Sequence, residues 1–258
     1  MLDRIRCELE KLGAHGRRLD FQPVMGRRGA SITMGGREFV DFTSWDVLGL
    51  RESRAVRRAV QVEVEQSGVG SFSPRLETGT SPWHLRCEQR LAEFMGQESA
   101  ILFSSKNQAV LSLVTALCTE ADLVICEDGL QAPVADAAYL VNSQVITFPI
   151  GGLERLEGEL KRFSDFANRL IFIEYLSATT GIICSLEEIL ALAEAWNAFL
   201  VIDDSYAIGL IGARGAGSAE AFPREKRILC RCADLSLALG SYGAVLSGSR
   251  NLMEYILA

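Results

Sequence analysis

Short apolar runs, rich in β-branched residues and separated by segments with helical spacing, most strongly constrain the fold of this chain. Uninterrupted apolar runs of this length are typical of strands that are buried on both faces of a parallel sheet. Helical segments between such strands predict an α/β domain with a seven-stranded, mostly parallel sheet between helices. The predicted strands are residues 100–103, 123–127, 144–149, 170–175, Phe199–Asp203, 234–239 and 244–247.

Residues 185–197 illustrate the helical pattern. Ser185 followed by Glu188 predicts a capping box at the start of this helix. Apolar residues then recur on one face, at Ile189, Leu190, Ala193 and Trp196. The sequence contains no internal repeat, low-complexity tract or linker. We therefore expect an N-terminal segment, residues 1–50, followed by one large domain, residues 51–258.

Composition and charge exclude several classes of function. Apolar residues make up 48% of the 258 residues, which is enough to bury a sizeable core. The net charge of −7 and the lack of a basic tract argue against a nucleic-acid-binding protein. No apolar run is long enough for a membrane span, and the N-terminus has a charged, helical pattern rather than that of a signal peptide. We expect a cytoplasmic protein.

Seven cysteines are scattered along the chain. The odd number and the apolar surroundings of most of them favour reduced core thiols over disulfides. Cys230 and Cys232 form half of a conceivable metal site. Since the chain has only two histidines and no second cysteine pair, the usual set of four ligands is not available, and we expect no metal.

Polar residues at the carboxyl ends of the strands are the best candidates for chemistry, because ligands of open α/β sheets bind there. Asp203 ends the apolar run Phe199–Asp203, and a turn containing Gly209 and Gly212 follows. This arrangement resembles the α-oxoamine synthases. These pyridoxal-phosphate enzymes of the class I/II aminotransferase fold include 8-amino-7-oxononanoate synthase and serine palmitoyltransferase.

Further segments carry the same resemblance in the same order, between about residues 39 and 248. Residues 41–50 and residues 174–181 are similar to family motifs. Single residues also match, at Ser73, Arg75, Gly79, Thr80, His84, Glu88, Leu91, Phe94, Gly96 and Asn107. The resemblance implies the large domain of a fold-type I aminotransferase with pyridoxal 5'-phosphate as cofactor.

The resemblance also implies roles for individual residues. Asp203 stands where an aspartate keeps the pyridinium nitrogen of the cofactor protonated, since an opposite charge raises the pKa of that nitrogen. Tyr206 and Gln131 stand at two positions where the family has histidines. Tyr206 can still hydrogen-bond the ring oxygen, Gln131 offers a poorer surface for stacking on the ring, and His84 occupies a substrate position. Alternatively, Asp203 only caps the turn that follows its strand.

Ser105, Lys106 and Asn107 fall in the phosphate loop that the resemblance implies. This loop is shorter than in the family and lacks the glycine that allows close backbone approach to a phosphate. Lys106 either replaces some phosphate contacts as a point charge or is a solvated loop lysine.

The position of the active-site lysine is occupied by Leu237. A leucine side chain forms no Schiff base and moves no proton. The chain has four lysines, at Lys11, Lys106, Lys161 and Lys226, and none aligns with the missing one. Asp234 stands three residues earlier, where the family has a phosphate-binding hydroxyl, and its carboxylate is expected to repel a phosphate.

The resemblance further implies that the C-terminal small domain is absent and that the active site is built at a dimer interface. Residues 174–186 resemble the lysine-less, non-catalytic subunit of serine palmitoyltransferase. We therefore expect a homodimer, or a heterodimer with a lysine-bearing homologue.

Three functions remain open from the sequence. The first is a pseudoenzyme or partner subunit that is inactive by itself. The second is an active, pyridoxal-phosphate-dependent acyltransferase that condenses an amino acid with an acyl thioester and uses a lysine from elsewhere. The third is a truncated, decayed gene product.

Overall fold

The computed structural model describes residues 1–19, 21–223 and 225–258, with the backbone but not the side chain of residue 131. It divides into two units, Met1–Ser44 and Trp45–Ala258. The boundary that the sequence predicts after residue 50 stays a prediction.

The first unit contains a helix and a small antiparallel sheet. Helix α1 spans Leu2–Ala14, as the charged helical pattern predicts, and the strands are β1 (Val24–Arg28), β2 (Ser31–Met34) and β3 (Arg37–Val40). Two glycines, Gly35 and Gly36, join β2 to β3 and both have positive φ, which a two-residue hairpin turn of this type requires. The apolar pattern of the sequence did not predict this sheet.

A seven-stranded sheet forms the centre of the second unit. The strands are β4 (Ser99–Phe103), β5 (Asp122–Glu127), β6 (Gln144–Phe148), β7 (Asn168–Glu174), β8 (Phe199–Asp203), β9 (Ile228–Asp234) and β10 (Ala244–Gly248). Their spatial order is β4-β10-β9-β8-β7-β5-β6; β10 runs antiparallel to β4 and β9, and the other neighbouring pairs are parallel. The predicted fold class is confirmed.

Helices connect the strands and cover the sheet. They are α2 (Arg54–Ser67), α3 (Pro82–Phe94), α4 (Lys106–Leu117), α5 (Gln131–Leu140), α6 (Leu153–Arg162), α7 (Leu186–Ala195), α8 (Ser218–Ala221) and α9 (Arg250–Leu257). Short helical turns span Leu50–Glu52 and Arg75–Gly79. The capping box predicted at Ser185 is not formed, because the Ser185 side chain makes no capping hydrogen bond. No described helix is long and apolar enough to cross a bilayer.

Both faces of the sheet are buried, because alternate residues of a central strand enter different apolar clusters. On β8, Leu200 and Ile202 pack with residues of α6 and α7, whereas Val201 packs with residues of α4, α5 and α9. Each such side chain contributes about 1.5–3 kcal/mol through its burial. This two-sided burial explains why the strands read as continuous apolar runs rather than as alternating ones.

The sixth predicted strand, residues 234–239, is wrong. The strand is Ile228–Asp234, and the residues after it form a turn. Asp234 starts this turn, since its Oδ1 accepts hydrogen bonds from the backbone N–H (2.8 Å) and the hydroxyl (2.6 Å) of Ser236. The fully buried Arg231 interrupts the apolar pattern of the true strand and hid it in the sequence.

All seven cysteines are free thiols. Four of them are buried in the apolar core, namely Cys118, Cys126, Cys230 and Cys232. Cys230 and Cys232 lie two residues apart on β9 and pack into the same cluster, so they are core residues of one strand face.

Candidate functional site

Four acidic residues end neighbouring strands at one edge of the sheet. They are Glu127 on β5, Glu174 on β7, Asp203 on β8 and Asp234 on β9. Because these strands run parallel, their carboxyl ends meet at the edge where α/β sheets bind ligands. Glu127, Glu174 and Asp203 are buried, and Glu174 is the direct partner of Asp203 in the strand register.

Lys106 lies at the same edge of the sheet, at the start of helix α4, which follows β4. Strands β4 and β9 both run antiparallel to β10 and therefore point in one direction, so α4 begins at the edge where Asp203 lies. The Nζ atom of Lys106 is 2.8 Å from Oδ2 of Asp203. The two side chains are 20% and 4% exposed. The expectation of a solvated loop lysine is wrong.

The charge of Lys106 is fixed by its surroundings. Burial alone would lower the pKa of this lysine, but the charge of Asp203 and its hydrogen bond outweigh burial and raise the pKa above the ordinary value. Glu174 and Cys232 act in the same direction. Lys106 is therefore an ammonium ion at neutral pH, and an ammonium ion is not a nucleophile.

Both carboxylate oxygens of Asp203 have partners. Oδ2 accepts from Lys106, and Oδ1 accepts a hydrogen bond from the backbone N–H of Ser205 at 2.9 Å. Asp203 thus caps the turn after its strand, as the alternative interpretation predicts, and also holds a cation. The sequence pattern alone did not reveal this combination.

Glu127 and Glu174 form the part of the site that sequence reasoning did not assign. Glu127 accepts hydrogen bonds from the backbone N–H groups of Gly151 and Glu174, both at 3.2 Å. Burial raises the pKa of each glutamate, and the charge of Asp203 raises that of Glu174 further. The available signal was an acid at the end of a buried apolar strand, which both residues share with Asp203.

Tyr206 lies against Trp45. Their ring centroids are 4.4 Å apart and the ring planes are inclined by 60°. Burial raises the pKa of the Tyr206 hydroxyl, so it is a neutral hydrogen-bonding group at neutral pH. Tyr206 lies three residues after Asp203, in the turn that follows β8, so its backbone lies at the carboxyl end of this strand.

The remaining predicted positions have local structural partners. The hydroxyl of Ser105 caps α4 by accepting from the backbone N–H of Gln108 at 3.3 Å, and Asn107 is exposed. His84 belongs to a capping box at the start of α3, where its Nδ1 accepts from the backbone N–H of Ser81 at 3.1 Å. The side chain of Gln131 lies outside the described residues.

Leu237 is half-buried in the turn that follows β9. Its carbonyl oxygen accepts from the N–H of Gly240 at 3.2 Å. This turn packs closely on the glycine-rich turn after β8, because a Cβ on Gly209 would lie 2.9 Å from that of Ala238. Gly209 also has a φ of 83°, so the position requires a glycine on both counts.

A second buried acid, Asp204, has a different environment from Asp203. It accepts from the backbone N–H (2.9 Å) and the hydroxyl (2.7 Å) of Ser218, and its Oδ2 lies 3.9 Å from Nε of Arg231. Arg231 also donates to the Ser218 hydroxyl at 2.9 Å. This group anchors α8 to β9 and leaves no oxygen of Asp204 without a donor.

The residues at the strand edge do not fit pyridoxal phosphate as a covalently held cofactor. Leu237 offers no amine, and Lys106 is held as an ammonium ion on Asp203. Both oxygens of Asp203 are engaged, by Lys106 and by the backbone N–H of Ser205. Among the described residues, no group of histidine, cysteine and acidic side chains is arranged to hold a metal ion.

Comparison with curated proteins finds similar chains over nearly the whole length. The 8-amino-7-oxononanoate synthase of Anaeromyxobacter sp. (strain K) is 32% identical over 257 residues, which are 100% of this chain and 64% of that protein. The chain therefore spans less than two thirds of the length of this relative.

Solved structures give the same picture. The serine palmitoyltransferase of Sphingomonas wittichii matches with a TM-score of 0.86 and 25% identity, over 98% of this chain and 64% of that one. A variant serine palmitoyltransferase from S. paucimobilis, described with a bound PLP–myriocin aldimine, has the same fold, with a TM-score of 0.87 and 24% identity over 98% of this chain and 66% of that one.

A family model accounts for most of the chain. Residues 37–258 match the model described as aminotransferase class I and II. The match includes the whole seven-stranded sheet and the acidic strand ends described above. This chain belongs to the aminotransferase class I and II family.

Proposed function

We propose that this chain is a non-catalytic α-oxoamine synthase-like protein, acting as a pseudoenzyme or as the partner subunit of an active enzyme. The observation that carries the proposal is the 2.8 Å ion pair between Lys106 and Asp203. It commits the lysine at this edge of the sheet to a structural role.

The chemistry of the family explains why this matters. Pyridoxal phosphate, when bound, supplies an electron sink, and the protein must supply an amine to link it and groups to move protons. Leu237 provides neither. Lys106 is nearby but charged, since Asp203 raises its pKa, and releasing it as a free amine would leave a buried carboxylate without its cation.

One observation favours the second candidate, an active pyridoxal-phosphate-dependent acyltransferase. Lys106 points into the site instead of into solvent, so it is the amine best placed to replace the missing lysine. The two candidates differ in whether Lys106 ever reacts.

A borohydride experiment separates the two candidates. Purified protein is mixed with pyridoxal phosphate, reduced with borohydride and mapped by mass spectrometry, beside the Lys106→Arg variant. Arginine keeps the ion pair with Asp203 but forms no Schiff base. We expect no absorbance band of a protonated Schiff base and no label that distinguishes the two proteins. A label on Lys106 of the unmodified chain, which Lys106→Arg lacks, contradicts the proposal.

The partner forms the second part of the proposal: a homodimer, or a heterodimer with a lysine-bearing homologue. Helix α2 has no buried residue, and its Val60 and Val64 are 58% and 45% exposed. Trp83 at the start of α3 is 47% exposed and lines a groove beside α2. An apolar surface of this kind supports a protein interface.

A further inference from the structure

We infer that the ammonium group of Lys106 occupies a cation-binding position at Asp203, and that a protonated nitrogen heterocycle competes with this ammonium group for the carboxylate. The inference rests on the same Lys106–Asp203 ion pair as the proposed function, but it concerns non-covalent binding, which is measured without an aldehyde. It assigns Lys106 a role that excludes a ligand instead of binding one.

Asp203 is a buried acid that lies in a group of acidic side chains. Its side chain is 4% exposed, and it lies beside Glu174 in the strand register, with Glu127 hydrogen-bonded to the Glu174 backbone. Three buried carboxyl groups at one edge of a sheet repel each other if they are ionised. A buried charge of this kind is stable only with a cation and hydrogen-bond donors. Lys106 and the N–H of Ser205 supply them.

Lys106 is fixed both at its backbone and at its ammonium group. It is the first residue of α4, and the preceding Ser105 caps this helix, so the backbone that carries Lys106 is fixed. The Lys106 side chain is 20% exposed, and its ammonium group contacts Asp203, which lies 97 residues later in the sequence. A lysine fixed at one end and paired at the other behaves as a tethered ligand, because the effective concentration of its ammonium group at Asp203 is high.

The chemistry around Asp203 indicates which kind of ligand competes with Lys106 for this carboxylate. Oδ2 of Asp203 faces a single positive nitrogen at hydrogen-bond distance. A flat heterocycle with a protonated ring nitrogen makes the same charge-assisted contact, and the rings of Trp45 and Tyr206 at this edge offer it aromatic surface. Such a ring binds only if the ammonium group leaves. Lys106 therefore weakens binding of pyridinium-type ligands to the unmodified chain.

The test compares Lys106→Met with Lys161→Met. Lys161 is an exposed lysine of α6, so its removal is a matched loss of charge away from the site. The probe is pyridoxamine 5'-phosphate, which carries the ring but no aldehyde and so reports non-covalent binding only. Binding is measured by calorimetry, and the midpoint of thermal unfolding is measured with and without the probe.

We expect Lys106→Met to unfold about 5 °C or more below Lys161→Met, since it leaves a buried carboxylate without its cation. We also expect it to bind the probe at least about tenfold more tightly than the unmodified chain. Added probe should restore much of the lost unfolding temperature. The double variant Lys106→Met/Asp203→Asn should recover stability and lose the gain in binding, because the unpaired charge is gone.

Two results would overturn the inference. One is an unfolding midpoint of Lys106→Met that equals that of Lys161→Met. The other is equal affinity of Lys106→Met and the unmodified chain for the probe. If Lys106→Met does not fold, Lys106→Gln, which keeps a donor but no charge, carries the same binding comparison. A failure here leaves the proposed lack of catalysis intact, because only the aldehyde experiment addresses that proposal.

Discussion

Arg75 and Glu88 form a two-point ion pair, with Nη1 2.6 Å from Oε1 and Nη2 3.1 Å from Oε2. Oε1 of Glu88 also accepts from the backbone N–H of Leu102 at 2.9 Å. The pair therefore joins the helical turn Arg75–Gly79, helix α3 and strand β4. The Glu88 side chain is 12% exposed, so water replaces few of these contacts.

Glu88→Ala should lower the free energy of unfolding by about 2 kcal/mol, because it leaves the Arg75 charge and the Leu102 N–H without their acceptor. Urea denaturation followed by circular dichroism measures the change. Glu93→Ala on the same helix is the control, since Glu93 makes an exposed hydrogen bond with Gln89. Equal midpoints for the two variants would contradict the prediction.

The sequence was sufficient for the seven-stranded sheet because two-sided burial leaves a continuous apolar signal in each strand. It failed at β9 for a physical reason. Arg231 is fully buried in that strand, and its charge is paired with the Asp204–Ser218 group, which no local pattern reveals. The apolar residues after Asp234 have the sequence pattern of a strand, although they form a turn. The hairpins of the N-terminal unit were missed because short two-stranded pairs carry little burial.

The site was predictable only in part. The place of Asp203 at a strand end was predictable from the sequence, whereas the role of Leu237, which the resemblance implies, stays a prediction. The contact between Lys106 and Asp203 was not predictable from the sequence. It depends on strand β10, which runs antiparallel to both β4 and β9, so that the start of α4 lies at the same edge of the sheet as the end of β8. A contact between residues so far apart in sequence is set by topology, and a single sequence contains no direct signal for it.

Thiol reactivity should divide the cysteines into two groups. Cys7 and Cys87 are exposed, and Cys7 should react first with a maleimide, because burial and Glu88 raise the pKa of the Cys87 thiol. Burial raises the pKa of Cys126 to about 11 and of Cys118, Cys184 and Cys230 to about 12.

Mass spectrometry of the native protein at pH 7.5 should therefore show two fast modifications, because the thiolate is the reactive form. All seven thiols should react in denaturant. Fast modification of Cys230 in the native state would contradict the fold at β9.

Asp204 should make stability depend on pH. Burial raises its pKa from 3.8 to about 6, against the hydrogen bonds from Ser218 and the charge of Arg231. The folded state then binds the proton more tightly than the unfolded state does. The resulting stabilisation is present below pH 4 and is lost as the pH rises through about 6, with a size on the order of 3 kcal/mol.

Asp204→Asn removes this contribution, because an amide does not titrate. The difference in unfolding free energy between the unmodified chain and this variant should therefore change between pH 4 and pH 7, in favour of the unmodified chain at the lower pH. Urea titrations at several pH values measure it. A difference that stays constant over this range would show that Asp204 keeps the same protonation state in both forms.

A lysine placed at position 237, where the resemblance implies the family lysine, should not create a covalent cofactor site. In Leu237→Lys, Lys106 still holds Asp203, and Ser105 is still used to cap α4. After mixing with pyridoxal phosphate and borohydride, we expect less than a stoichiometric label at position 237. The double variant Leu237→Lys/Lys106→Met should take up more label at that position. Full labelling of the single variant would contradict the role of Lys106.

Association should depend on the apolar surface of α2. Val60 and Val64 lie one helical turn apart and are both about half-exposed. We expect the pure chain to sediment as a dimer, or to form a heterodimer when a lysine-bearing homologue is added. Val60→Glu/Val64→Glu should shift either complex toward monomer, by at least about tenfold in dissociation constant, because two charges would be buried without partners.

Gln61→Glu is the matched control, since it adds a charge to the same helix without removing apolar surface. If this control weakens association as much as the valine substitutions do, the effect is electrostatic and α2 is not the interface. Sedimentation velocity over a range of concentrations distinguishes these cases. A chain that stays monomeric, alone and with the homologue, contradicts the partner-subunit proposal, because an interface under selection must bind at least one of the two.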